Sequence, residues 1–197
     1  MSETGSVKFV CEHVIAELPV FAGFNQLNAC RRKLLQMGVV GVNAGGIGFG
    51  NISVRDRATN NFYITGSGTG AKSGLATNDY ARVVAFDVER NWIRCEGAAI
   101  ASSESLTHAA IYQVEAAAGA VIHGHSTSLW KQLSHIAPTT SRGVEYGTPE
   151  MAREVQRLFR ETEVREQKLF VMAGHADGFV TFGIDLREAF AVLIQHL

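Results

Sequence analysis

Two histidines one residue apart, His123 and His125 in Val121-Ile122-His123-Gly124-His125-Ser126, close an apolar run. On a strand, side chains alternate faces, so both imidazoles point the same way. With only Gly124 between them they can close on one metal ion. Zinc accepts neutral imidazole nitrogens and usually has three protein ligands when catalytic. A same-facing pair is equally compatible with a solvated or hydrogen-bonded couple. His175, in Ala173-Gly174-His175-Ala176-Asp177-Gly178, has glycines on both sides that let the backbone turn. It could be a third ligand, although spacing alone does not select it. His13, His135 and His196 have no comparable setting and read as surface or capping residues.

Other clusters suit anions and proton transfer. Ser102-Ser103-Glu104 opens a predicted helix, where free N–H groups attract anions and serines can cap or bind. Glu104 and His108 lie one turn apart on one helix face. His108 reads as a packed, hydrogen-bonded histidine, and Glu104 either as a first-turn acid on the helix dipole or as a functional carboxylate. The stretch Gly66-Ser67-Gly68-Thr69-Gly70-Ala71-Lys72-Ser73 resembles a phosphate loop, but Ala71 stands where glycine must precede the lysine. Too little chain separates Ser73 from Val83 for the helix and return strand of that motif. The stretch reads instead as a loop whose N–H groups form an anion nest, or as an ordinary turn. The glycines of residues 45–50 precede a strand, so they are not a dinucleotide fingerprint, which follows one. Asn51 and Ser53 beside them suit a ligand's oxygens or the capping of a turn.

The elements that must position these groups follow from periodicity. Apolar spacing predicts helices over residues 7–18, 24–37, 104–115, 127–133 and 148–159, and a last helix capped by Asp185. Gly38 ends the second helix, and Thr148-Pro149 pairs a cap with a proline at the first helical position. Alternation predicts strands over residues 51–55, 61–65, 82–87, 91–94, 120–125, 168–172 and 179–182. Hairpins mixed with helices suggest an α/β chain with a central, largely antiparallel sheet flanked by helices.

Composition limits the partners. With 197 residues, 46% apolar and 19% charged, the chain is expected to form one domain over residues 1–197. A formal net charge of −1 argues against nucleic acid or an anionic membrane as the partner. No basic, apolar leader opens the sequence and no apolar run would span a bilayer. Cys11, Cys30 and Cys95 are scattered and odd in number, which reads as reduced thiols in a cytoplasmic protein.

Taken in order, residues 50–55, 64–68, Ser102-Ser103-Glu104 with His108, residues 121–126, and Gly174-His175 through Glu188-Ala189-Phe190 resemble the class II aldolase/adducin family, that of fuculose-phosphate aldolase and ribulose-phosphate 4-epimerase. The resemblance implies a three-layer α-β-α fold and a zinc or other divalent ion on His123, His125 and His175. It implies substrate binding, through an anionic group, by Asn51, Ser67, Gly68, Ser102 and Ser103, with Glu104 as the acid/base. The implied activity is that of a metal-dependent aldehyde-lyase, cleaving a C–C bond of a small hydroxylated carbonyl substrate, which could carry a phosphate, through an enediolate stabilised by the metal. Epimerase, dehydratase or decarboxylase chemistry on the same site, or a non-catalytic assembly module like the adducin head, are the alternatives. The family commonly forms cyclic tetramers, and Phe21, Phe24, Trp92 and Trp130 are candidate interface residues. Three departures stand out. Ala101 and Gly66 replace prolines common in the family, the segment between His125 and Thr148 is short, and little chain follows Phe190. Tyr112 and Tyr146 are the candidates for a second acid.

Overall fold

The computed structural model describes residues 9–197. In chain order its elements are β1 (Val10–Val14), α1 (Phe24–Gln36), β2 (Gly41–Val42), β3 (Gly48–Phe49), β4 (Asn51–Arg55), β5 (Phe62–Thr65), β6 (Tyr80–Asp87), β7 (Trp92–Glu96), α2 (Ser105–Val114), β8 (Ala120–His125), α3 (Thr127–Leu133), α4 (Pro149–Glu161), α5 (Val164–Gln167), β9 (Leu169–Val171), β10 (Gly178–Gly183) and α6 (Leu186–Ile194). Among the described residues the main sheet has eight strands in the order β1-β7-β6-β5-β4-β8-β10-β9. Its one parallel pair is β1 with β7; all other neighbours are antiparallel. None of the described helices is long and apolar enough to cross a membrane.

Two apolar layers sandwich this sheet. Leu106 and Ile111 of α2, Met151, Val155 and Leu158 of α4, and Val164 of α5 pack on one face. Leu27 and Leu34 of α1, Leu129 and Leu133 of α3, and Ala189 and Leu193 of α6 pack on the other. Alternation along β8 divides its side chains between the layers: Val121 joins the first, and Ala120 and Ile122 the second. His123 and His125 therefore project on the Val121 side, under α2. The caps expected at α4 and α6 are present. Thr148 Oγ1 accepts from Met151 N, and Asp185 Oδ1 from Glu188 N at 2.8 Å.

The helix expected over residues 7–18 is not formed. Val10–Val14 is a strand with exposed residues alternating with half-buried ones, and residues 7 and 8 lie outside the described part. Its partner β7 lies some eighty residues away, with Val10 opposite Trp92 and Val14 opposite Glu96. That non-local ladder overrides the local helical spacing. A small hairpin, β2–β3, occupies what reads as loop, its turn held by Asn43 Oδ1 accepting from the N–H groups of Gly45 and Ile47. Phe21 is buried in its own chain, stacked on Tyr63 at 3.8 Å between ring centroids, so it is not an interface residue. The three cysteines are unbridged, and burial pushes the thiols of Cys11 and Cys30 up to about 12.

A polar strip crosses the α2-side layer behind the histidines. Ser53 Oγ on β4 lies 2.7 Å from His108 Nδ1 and 2.8 Å from the Tyr112 hydroxyl, all three buried. Burial alone holds His108 down at about 3, so it is neutral, and the same burial raises the Tyr112 phenol above its usual range. Ser53→Ala would orphan both groups in a dry interior. Each buried group left without a partner costs about 1–3 kcal/mol. A loss of about 3 kcal/mol corresponds to a melting point lower by roughly 6–12 °C in a chain of this size. Calorimetry reads this directly; an unchanged midpoint would show that the network contributes no stability.

Candidate metal centre and cleft

Three histidines from two places in the chain converge on the α2 face at the end of β8. His123 sits opposite Asn51 of β4 and Val180 of β10 in the ladder, and His125 opposite Gly178. His175 arrives from the turn joining β9 to β10, which is closed by His175 N to Met172 O at 3.1 Å and Gly178 N to His175 O at 2.9 Å. One ligand nitrogen from each ring lies within 4.8 Å of the others. A tetrahedral ion with bonds of about 2.0–2.1 Å would space its ligands by about 3.4 Å, so small side-chain movements close the triangle.

The donor set fits a cation. His123 Nδ1 lies 3.0 Å from Phe179 O, and since a carbonyl can only accept, that nitrogen carries the proton and Nε2 keeps its lone pair. The Nε2 atoms of His123 and His125 face each other at 3.1 Å. With the proton of His123 on Nδ1, its Nε2 offers a lone pair at that contact, which a proton on His125 Nε2 or a bound cation can share. A metal cation can take the place of that proton between the two rings, and a carbonyl partner such as Phe179 O is what orients a metal-bound imidazole. Burial, reinforced by the neighbouring imidazoles, holds His123 well below the usual imidazole range, and burial brings His125 to about 4. Both are therefore neutral at physiological pH, the form that ligates.

Gly178 makes this approach possible. A Cβ there would lie 2.7 Å from His175 Cδ2 and 3.3 Å from His123 Cε1. Only glycine, opposite His125, lets the third ring fold over the first two.

Glu104 caps the N-terminus of α2 and is buried. Thr107 Oγ1 donates to its Oε2 at 2.9 Å, and its Oε1 lies 3.8 Å from His175 Nε2. The carboxylate is thus at the edge of the triad. Asn51, Ser67, Gly68, Ser102 and Ser103 line the same open cleft of about 1090 Å³ as Glu104 and the three histidines. That is ample for a small metabolite. The two segments expected to hold an anion are stitched together by a bridge between Gly66 and Ala101 and by Ser67 N donating to Ile100 O at 2.9 Å. The loop after β5 leads through a short 3-10 turn, Thr77–Asp79, into antiparallel β6, with no phosphate-loop helix.

Thr69 and Gly70, from the loop read as an anion nest or an ordinary turn, also line the cleft, as do Asn43 and Glu145, which sequence reasoning did not single out. Of the two candidate tyrosines, Tyr146 lines the cleft with its ring centroid 4.2 Å from that of His175. Tyr112 is buried behind β4, away from it.

With this geometry established, comparison with known proteins decides the family. A model of the class II aldolase and adducin N-terminal domain matches residues 25–196. The chain belongs to the class II aldolase and adducin family. Among solved structures, an L-fuculose 1-phosphate aldolase superposes with a TM-score of 0.67 at 22% identity, covering 89% of this chain and 82% of the other. YgbL from Klebsiella pneumoniae, described as a putative aldolase/epimerase/decarboxylase, gives 0.65 at 19% identity over 87% and 83%. The L-fuculose-1-phosphate aldolase of Thermus thermophilus gives 0.62 at 22% identity over 87% of each chain. Among curated proteins, no sequence matches significantly. These likenesses establish the class II aldolase fold.

Replacing His123, His125 or His175 by alanine should each lower zinc affinity by more than the about 10–100-fold typical of losing a supporting outer residue. Gly178→Ala should weaken zinc by about that lesser amount, by displacing His175 with all ligands retained, and His196→Ala should change nothing. Competition with a chromophoric chelator measures all five; equal affinity in wild type and His123→Ala would refute the triad.

Proposed function

We propose that this class II aldolase-family chain is a metal-dependent aldehyde-lyase that cleaves a C–C bond in a small hydroxylated carbonyl compound bearing an anionic group. The observation that carries the reading is the convergence, in one cleft, of three imidazoles, the buried carboxylate of Glu104 and two polar backbone segments. His123, His125 and His175 would hold a divalent ion, with zinc the expected metal. Such an ion, when bound, would act as a Lewis acid on substrate oxygens.

The chain's own residues divide the remaining work. Asn51, Ser67, Gly68, Ser102 and Ser103 bind the anionic end and so fix which carbon of the substrate reaches the triad. Asn51 is buried, and its Oδ1 has no partner among the described residues. A side-chain amide held in this way suits a ligand group. Glu104 takes up and returns the proton. Thr107 binds its Oε2, so Oε1, on the triad side, is the oxygen that does so. Burial of the carboxylate excludes competing water.

The same groups would serve epimerisation, dehydration or decarboxylation, which differ in the substrate offered. A purely structural, adducin-like role makes no use of three imidazoles gathered around one point. The proposal extends to a cytoplasmic homotetramer with residues 1–197 as one domain. Exposed apolar side chains at Val10, Ile15 and Val20 support self-association.

A screen of the zinc-loaded protein against sugar phosphates, acyclic hydroxyacids and keto acids, read by aldehyde release, tests the reading. Glu104→Gln should keep zinc and fold yet lower turnover by at least about a hundredfold, the span of general acid-base catalysis. Undiminished turnover in Glu104→Gln would remove the carboxylate from the chemistry. Loss of zinc in that variant would instead make it a ligand.

A further inference from the structure

Arg31 is the charged residue that α1 turns inward, on the stripe of Leu27 and Leu34, and it is only 4% exposed. Its guanidinium donates to three backbone carbonyls of the glycine-rich loop after β5. Nη1 donates to Lys72 O, and Nη2 to Thr69 O at 2.8 Å and Gly70 O at 3.2 Å. No carboxylate pairs with it among the described residues; nearby Asp79 is taken by Lys72 and by Ala76 N. Arg31 does not line the open cleft. With Asn51, Thr65, Thr69 and Gly70 it borders a small adjoining pocket, of which Asn51, Thr69 and Gly70 also line the cleft.

In a trans peptide the C=O of one residue and the N–H of the next point in opposite directions. Carbonyls of Thr69 and Gly70 drawn onto Arg31 therefore turn the N–H groups of Gly70 and Ala71 away from it. Thr69 and Gly70 line the cleft, and the backbone N–H groups of residues 68–71 donate to no group among the described residues. Gly68 has a φ of +75°, the left-handed turn found in anion nests, and Thr69 Oγ1 closes that turn on Gly66 O at 2.8 Å. A buried cation held only by neutral carbonyls is a costly way to gain stability. The same cation polarises the peptides above it and places a positive charge behind their N–H ends.

We propose that Arg31 is the positioning residue of an oxyanion subsite. By clamping the carbonyls of residues 69, 70 and 72 from beneath, it presents the N–H groups of the loop to the cleft and supplies the charge that the neutral lining lacks. The inference rests on the reading above that the substrate carries an anionic group.

The test is a titration of the zinc-loaded protein with inorganic phosphate, and separately with acetate, followed at the backbone amide signals of residues 67–71 by two-dimensional NMR. Those signals report the loop and not phosphate bound at the metal. In wild type they should shift saturably, and the anion that binds more tightly distinguishes a phosphate subsite from a carboxylate one. Arg31→Met should raise the loop's Kd at least about tenfold. Arg31→Lys, which keeps the charge without the fork, should fall between, and zinc affinity should stay within twofold in both. A merely structural role would lower the melting point and leave the loop's Kd unchanged, which would overturn the proposal. If Arg31→Met does not fold, Arg31→Lys decides alone, and a wild-type Kd there overturns the clamp. Wild-type loop signals that move with neither anion would refute the anionic-substrate reading itself, and the role of Arg31 with it.

Discussion

The site depends on one local geometry, the period-two alternation of β8, a strand locked between β4 and β10. Alternation sends His123 and His125 to the same face, and Phe179 O, from the neighbouring strand, fixes the proton of the first ring on Nδ1. A one-residue slip of β8 would turn both rings to the opposite layer and bring Gly124 into their place. Six antiparallel pairings in the sheet guard against that slip. So does the opposite layer, where Phe179 Cζ would lie 2.8 Å from any Cβ on Gly124. The histidine cluster is in this sense a property of the register of the whole sheet.

Around that centre the fold separates tasks by layer. The α2 side holds the buried ionisable groups: Glu104 at the helix start, and one turn on His108, tied to Ser53 and Tyr112. The opposite side holds α1, which sends Arg31 under the loop after β5. The cleft lies where the two meet at the end of β8, so each layer contributes one part of the lining.

Much of this was legible in the sequence. The His-x-His pair was readable because a strand's period needs only neighbouring residues, and Ser102-Ser103-Glu104 because helix starts are local. The third histidine was not selectable by spacing, since His175 lies some fifty residues on and is brought in by a turn that Gly178 permits. Residues 7–18 misled because Val10, Val14 and Leu18 repeat at helical spacing, while the pairing of β1 with β7 spans about eighty residues and leaves no local trace. The β2–β3 hairpin was hidden by glycines that carry no alternation, and α5 by its four residues. Arg31 did leave a signal, a charge on the apolar stripe of α1, but what it holds could be seen only once the loop was in place.

The central claim is that three imidazoles and no thiolate hold a divalent ion, with coordination positions left for other ligands. X-ray absorption at the zinc K-edge of the metal-loaded protein tests this most directly. The account predicts three nitrogen neighbours at about 2.0–2.1 Å with the outer-shell scattering of imidazole, completed by oxygen. A sulfur neighbour at about 2.3 Å, or an all-oxygen shell without imidazole scattering, would contradict it.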